Sequence, residues 1–239
     1  MVQAPVQRLA QTSQIVGRPI SYDLGVVSRG SRRPPEQRRQ QIIDAAVVLA
    51  DTVGLDRLTS RDVAGELGIA PGLVHHYFAS MDDLVVAAFR QVVTAERDEI
   101  ERTITALPPL PALCSYIARS LENSHLVARV WMSAWVAAPR RPELAIEIDR
   151  HMLEGLDQLT ALLRRGVDAG VFRLTDPRVS AFRILVLIDG ILVQVSMRAE
   201  KTYGDVDSLI WETVEREVGL PEGTLRTSPA VSPPTEVDI

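Results

Sequence analysis

Apolar residues return at three- and four-residue intervals along most of this chain, and the pattern breaks at prolines and glycines. Ile42, Ile43, Ala46, Leu49, Ala50 and Val53 form one stripe, with Pro34-Pro35 before it and Gly54 after it. Proline suits a first helical turn and glycine a helix end, so the spacing predicts a helix between them. Thr59-Ser60-Arg61-Asp62 then sets a hydroxyl three residues before an acid, the pattern of a capping box, and Val63, Ala64 and Leu67 give a short helix its apolar stripe. Gly68-Ile69-Ala70-Pro71 reads as a tight turn and Gly72 to Phe78 as a second short helix. Ser80 caps a long helix carrying Leu84, Val85, Ala88, Phe89, Val92 and Val93, which stops before Pro108-Pro109.

Further helices are expected at about Ala112–Glu122, Ser124–Ala138, Pro142–Gly166, Pro177–Glu200 and Asp205–Val218, with Asp176-Pro177 and Gly204-Asp205 as start signals. The Val/Ile-rich stretch from Ile184 to Val195 is ambiguous by period but too long for an ordinary strand. The first 33 residues keep no period and read as an extended arm, and the chain from Pro221 onward reads as a loose tail. The expected fold is all-α in two parts, a small N-terminal bundle and a larger C-terminal one.

At 239 residues and 46% hydrophobic content the chain can bury a real core, which excludes wholesale disorder. Its one cysteine, Cys114, forms no internal disulfide and builds no metal site by itself, so a reducing compartment is expected. The apolar run Ile184 to Ile188 is stopped by Asp189-Gly190, and no apolar run approaches the roughly 18–20 residues of a membrane span. The start lacks a basic segment followed by an apolar one, and the expectation is a cytoplasmic protein without a membrane contact. Lys201 is the only lysine, an arginine bias that a GC-rich genome accounts for. Charge is unevenly spread: residues 1–80 hold 9 arginines against 7 acids, residues 81–239 hold 17 bases against 24 acids. That asymmetry permits an N-terminal contact with a polyanion.

Two short helices joined by a glycine turn, with a supporting helix on each side, form the helix-turn-helix layout. The first short helix must bury Val63, Ala64 and Leu67 to hold the crossing angle, and Gly68 permits the turn by tolerating positive φ. The second needs Val74 and Phe78 behind it and small or polar groups in front, so that it enters a major groove about 12 Å wide. Gly72, His75, His76 and Tyr77 suit that front. Thr59, Ser60 and Arg61 open the first short helix, where free backbone N–H groups can hold a phosphate.

Gln41-Ile42-Ile43-Asp44-Ala45-Ala46, Leu58 to Ala64 and Leu67 to Phe78 together resemble the DNA-binding domain of TetR-family transcriptional regulators. Downstream, Trp131-Met132-Ser133-Ala134-Trp135, Pro142-Glu143-Leu144 and Leu187-Ile188-Asp189-Gly190 are similar to the choline-responsive BetI-type subgroup. The resemblance implies an all-helical homodimer, usually a repressor, that binds double-stranded DNA at a palindromic operator and takes a small-molecule effector in its C-terminal domain. Carried over by position, Thr59, Ser60 and Arg61 would touch phosphate or a base edge. Pro71, Gly72, Leu73, His75 and His76 would face the groove, and Tyr77 would meet the backbone. The family's usual lysine beyond the second short helix is Met81 here, which removes one phosphate contact and about one unit of salt slope. The implied organisation is a flexible arm (1–33), a helix-turn-helix domain (34–80), an effector-binding and dimerisation domain (81–220) and a proline-rich tail (221–239).

Other residues leave alternatives. Arg29, Arg32 and Arg33 either reach into a minor groove in place of the missing lysine or lie in a solvated arm. His75-His76 cannot chelate one metal, because neighbours on a helix diverge by about 100°; no metal and no cofactor are expected. Trp131 and Trp135, four apart, share a helical face and are either core or the wall of a pocket for a cationic or flat effector. Asp189 interrupts the most apolar helix, so it is hydrogen-bonded, at an interface or facing a ligand. Tyr116, His125, Met152 and Gln194 are further effector candidates, and Cys114 reads as filler. Val206, Leu209, Ile210, Val214 and Val218, with the apolar helix before them, predict a four-helix dimer interface. An enzyme is not expected: there is no second Glu-x-x-His beside Glu122–His125 to build a di-metal site, no phosphate loop and no nucleophile elbow.

Overall fold

The computed structural model describes residues 34–122, 125–197 and 206–227. Among them there are nine α-helices, one 3-10 turn and no strand. The helices are α1 (Pro35–Thr52), α2 (Ser60–Leu67), α3 (Pro71–Tyr77), α4 (Met81–Thr105), α5 (Pro109–Glu122), α6 (His125–Ala137), α7 (Pro142–Asp168), α8 (Pro177–Met197) and α9 (Val206–Glu217). The 3-10 turn spans Ala138–Arg140.

The described chain forms two compact units. One takes in 34–97 and 125–153, so the helix-turn-helix segment shares it with the first part of α4, with α6 and with the start of α7. The other takes in 98–122, 154–197 and 206–227. Each unit has its own core. In the first, Ile42, Ala46 and Ala50 of α1 meet Val63, Ala64, Val74 and Phe89, with Val127, Val130 and Ala134 of α6. In the second, Leu113 and Ile117 of α5 meet Leu159, Leu163, Ile184, Ile188, Ile210 and Val214.

Local chemistry explains most helix ends. Pro35 occupies the first turn of α1, where its missing N–H would have had no partner, and Gly54 beyond it takes φ 82°. The expected capping box before α2 is present: Thr59 Oγ1 accepts from the Asp62 N–H at 3.3 Å, and Asp62 Oδ2 accepts from the Thr59 N–H at 3.0 Å. Gly68 closes α2 at φ 63°, a left-handed conformation that costs glycine nothing. Ser80 and Asp83 repeat the reciprocal cap before α4, at 3.0 and 2.9 Å. Asp176 caps α8 by accepting from the N–H groups of Arg178 and Val179.

Three sequence expectations are corrected. Helix α5 begins at Pro109 and not after Pro111, because both prolines fit a first turn whose N–H groups need no partner. Gly166 does not end α7. The helix runs on to Asp168 and Gly170 turns at φ 69°, while Gly166 lies where a Cβ would come 1.9 Å from the Phe172 ring. Nor are residues 221–227 loose. Leu225 is fully buried, and the N–H groups of Gly223 and Leu225 donate to the buried Glu215 carboxylate at 2.8 and 2.7 Å. The expected arm, with Arg29, Arg32 and Arg33, and the chain beyond 227 lie outside the described residues, as do 198–200 at the end of the expected eighth helix. No described helix is long and apolar enough to cross a membrane.

Candidate DNA-binding surface and effector site

Helices α2 and α3 pack at the turn that Gly68 permits, and burial divides each into two sides. Val63, Ala64 and Leu67 of α2 and Val74 of α3 are buried, as is Phe78, which ends α3 in extended backbone at φ −128°. Pro71, Gly72, His75 and His76 are exposed, whereas Leu73 and Tyr77 are half-buried. At the head of α2, Thr59 and Arg61 are exposed and Ser60 is half-buried. All nine residues expected to meet DNA therefore lie on these two helices and their caps, and none is sealed in the core.

Several contacts fix this surface. His75 Nε2 lies 3.2 Å from Ser60 Oγ, linking α3 to the head of α2. The His76 and Tyr77 rings meet edge to face at 5.2 Å. The Arg39 guanidinium sits 4.6 Å above the Phe78 ring, which brings the first turns of α1 to the end of α3 and adds a positive charge there. Helix α3 itself carries no lysine or arginine.

The residues expected around an effector are divided between the two units. Trp131 and Trp135 come together: both are half-buried on α6, with ring centres 5.6 Å apart and planes 43° to one another. Trp131 also meets the buried Phe89 edge to face at 5.1 Å. Met152 is exposed in the same unit, and the side chain of His125 lies outside the described residues. Tyr116 is buried in the core of the other unit, where Asp189 is half-buried and Gln194 exposed on α8. Burial raises the Asp189 carboxyl to about 6, and no cation among the described residues offsets it.

Sequence reasoning did not find the most polar interior of the first unit. Glu147 of α7 is buried, and its carboxylate takes both Nε (2.5 Å) and the far nitrogen (3.1 Å) of Arg90 from α4. Arg150 adds a bond at 2.5 Å. Burial pushes this carboxyl up, but the two guanidinium groups outweigh it and hold it at about 2. The buried His151 sits beside it, 3.0 Å from Arg97 through Nδ1 and 3.2 Å from Glu147 through Nε2. Arginine only donates, so Nδ1 accepts from Arg97, while Nε2 lies between the Arg150 guanidinium at 2.8 Å and the Glu147 carboxylate. Burial, with Arg150 and Arg97 adding to it, lowers this imidazole to about 4. The Phe89 ring lies 5.8 Å from His151, so this network adjoins the aromatic group. Its sequence signal is Glu147, Arg150 and His151 at intervals of three and four, with Arg90 and Arg97 seven apart on another helix. Spacing marks two polar faces without saying that they meet.

Comparison with known proteins agrees with this arrangement. Residues 42–88 match the model of the bacterial regulatory proteins of the tetR family, and residues 112–217 match that of the C-terminal part of BetI-type transcriptional repressors. The regulator BetI of Stenotrophomonas maltophilia is 30% identical over 113 residues, a stretch covering 45% of this chain and 58% of that protein. BetI of Escherichia coli is 25% identical over 170 residues, covering 67% of this chain and 83% of the relative. Among solved structures, a protein of Saccharomonospora viridis in complex with choline superposes with a TM-score of 0.66 at 24% identity, covering 73% of this chain and 92% of its own. With its helix-turn-helix and its C-terminal region both matched, the chain belongs to the TetR family of transcriptional regulators.

Proposed function

We propose that this chain acts as a homodimeric repressor in the cytoplasm, binding a palindromic operator and answering to a small effector. The observation that carries the reading is the two-sided burial of α3, with Val74 fixed in the core and Pro71, Gly72, His75 and His76 exposed. An exposed short rod fixed from behind suits insertion into a major groove. Thr59, Ser60, Arg61, Leu73 and Tyr77 complete the DNA-facing set, and the matched segment 42–88 supports it.

The dimer rests on α8 and α9. Val179, Phe182 and Val186 follow one another at three and four residues along α8 and are 44, 56 and 53% exposed, and Leu209 of α9 is 52% exposed. A two-fold mate would cover this stripe and set two copies of α3 one turn of DNA apart, roughly 34–36 Å, which calls for a palindrome.

The effector would be held by the region 81–220, with Trp131 and Trp135 as its aromatic wall. His125 and Met152 remain proposed contacts in the same unit, and Tyr116, Asp189 and Gln194 remain proposed contacts within the other unit. Choline in the Saccharomonospora viridis structure makes small quaternary amines the first probes, since aromatic faces attract such cations. A band shift on the DNA upstream of the protein's own gene, with and without choline, tests the whole reading. Retarded DNA released by the amine supports it, and no retardation of any upstream fragment overturns it. A second reading, DNA binding without an effector, is favoured by the edge contact of Trp131 on Phe89, which fills part of the space a ligand would need. Tryptophan fluorescence that stays flat across an amine and aromatic-ligand series would select that alternative.

A further inference from the structure

Of the nine residues proposed to meet DNA, two from different helices are joined before any DNA arrives. Ser60, at the first position of α2, and His75, near the end of α3, are 3.2 Å apart through Oγ and Nε2. They stand fifteen positions apart in the chain. We propose that Ser60 and His75 read the operator as one hydrogen-bonding unit, with Ser60 the positioning residue and His75 the specificity-determining contact. This inference rests on the DNA-binding reading above.

The neighbouring groups leave Ser60 this task. Thr59 carries a hydroxyl next to it, but that hydroxyl donates to Asp62 Oδ2 at 2.6 Å and accepts from the Asp62 N–H, so the cap occupies it. Ser60 lies inside the helix at its first position, where its side chain is not the cap. On α3 the exposed polar side chains are His75 and His76, with no lysine or arginine beside them. His76 is held edge-on against the Tyr77 ring at 5.2 Å, whereas His75 is held by a directional polar contact.

Direction matters because a neutral imidazole has one donor and one acceptor nitrogen. With Nε2 turned to Ser60, Nδ1 is the only polar ring atom left for DNA. When the Ser60 hydroxyl donates to Nε2, the proton must sit on Nδ1, which then presents a donor. Major-groove acceptors are N7 and O6 of guanine, N7 of adenine and O4 of thymine, so this tautomer matches an acceptor-bearing edge. Cytosine offers a donor from its exocyclic amine and is rejected. Removing the hydroxyl frees the ring to turn and to exchange tautomers, and the discrimination goes with it.

The test is selection of binding sites from random duplexes by the full-length protein, comparing wild type with S60A, S60T, H75A and the S60A/H75A double variant. S60A and H75A are each expected to lose about fivefold to tenfold of base preference at the same pair of each half-site. The double variant should lose no more than either single one, and S60T, which keeps the hydroxyl, should retain the preference. Melting temperatures close to wild type would show that all variants fold. The inference is overturned if S60A weakens every duplex by the same factor, as a simple phosphate contact would. It also fails if the two losses multiply or fall at different base pairs. A wild-type protein that selects no sequence overturns the regulatory reading and this inference together, whereas a selected site with independent variants overturns this inference alone.

Discussion

Arg90 and Glu147 meet through two guanidinium–carboxylate bonds of 2.5 and 3.1 Å, tying α4 to α7 inside the unit that carries the helix-turn-helix. The two partners are not equivalent. The Arg90 side chain is 54% exposed and would return to water if its partner were lost, whereas Glu147 is 7% exposed and also holds Arg150 and His151. Losing Glu147 removes the acceptor that Arg90 and Arg150 share; losing Arg90 leaves the carboxylate with Arg150. Glu147→Ala is therefore expected to cost about 3 kcal/mol and Arg90→Ala about 1 kcal/mol, measured by urea denaturation. Equal costs would mean that the pair, and not the network around Glu147, carries the stability.

The network also makes stability depend on acid. His151 is held neutral with its imidazole lowered to about 4, so the unfolded chain takes up a proton first as pH falls from about 6.5. Stability from this group is present above 6.5 and is lost between 6.5 and 4, by about 3 kcal/mol in full. Comparing His151→Gln with wild type in thermal melts from pH 7.5 to 4 isolates this group. The variant, less stable at pH 7.5, should lose less on acidification, so that the difference narrows across that window. A constant difference would show that His151 protonates alike in both states.

Asp189 works in the opposite sense. Its carboxyl is raised to about 6 by burial, so the folded chain holds a proton that the unfolded chain releases near 4. This group costs stability above pH 6 and the cost fades as pH falls to about 4. Asp189→Asn should raise stability by about 1–2 kcal/mol at pH 7.5, discounted for its half-exposure, with no gain near pH 4. Destabilisation at pH 7.5 would mean that the charged carboxylate has a partner in the assembled protein.

Backbone and packing make a separate prediction in the second unit. A Cβ at Gly166 would stand 1.9 Å from the Phe172 ring, and the ring is buried at 2% exposure. Gly166→Ala should cost roughly 1–3 kcal/mol through overpacking, although alanine is the better helix former. Gly155, on the same helix with nothing within 4 Å of its Cβ position, is the control, and Gly155→Ala should be neutral or mildly stabilising. Matching melting temperatures for the two variants would contradict the packing.

The exposed stripe of α8 gives the assembly its test. Phe182→Glu and Val186→Glu place charges on residues that the monomer leaves exposed, so each variant should fold normally. Sedimentation should then show monomers where wild type shows dimers, with DNA affinity falling at least tenfold as one half-site is lost. A wild-type monomer, or dimers that survive both charges, would remove α8 from the interface.

Sequence by itself determined the helices and the helix-turn-helix, because those depend on neighbours in the chain. The stripe through Val63, Ala64 and Leu67, the Thr59–Asp62 cap and the positive φ of Gly68 all arise within a few residues, and spacing exposes them. Where two rules competed locally the expected ends were off, at Gly166 for α7 and at Ala112 for the start of α5. Tertiary structure alone decided what meets across long separations. Glu147 finds Arg90 at a distance of 57 residues, Leu225 is buried through Glu215, and Ser60 joins His75 across a turn. A carboxylate four residues from a histidine reads the same in any exposed helix. Only when packing removes water from Glu147 and His151 does their charge become expensive, and only then do the surrounding arginines acquire a role.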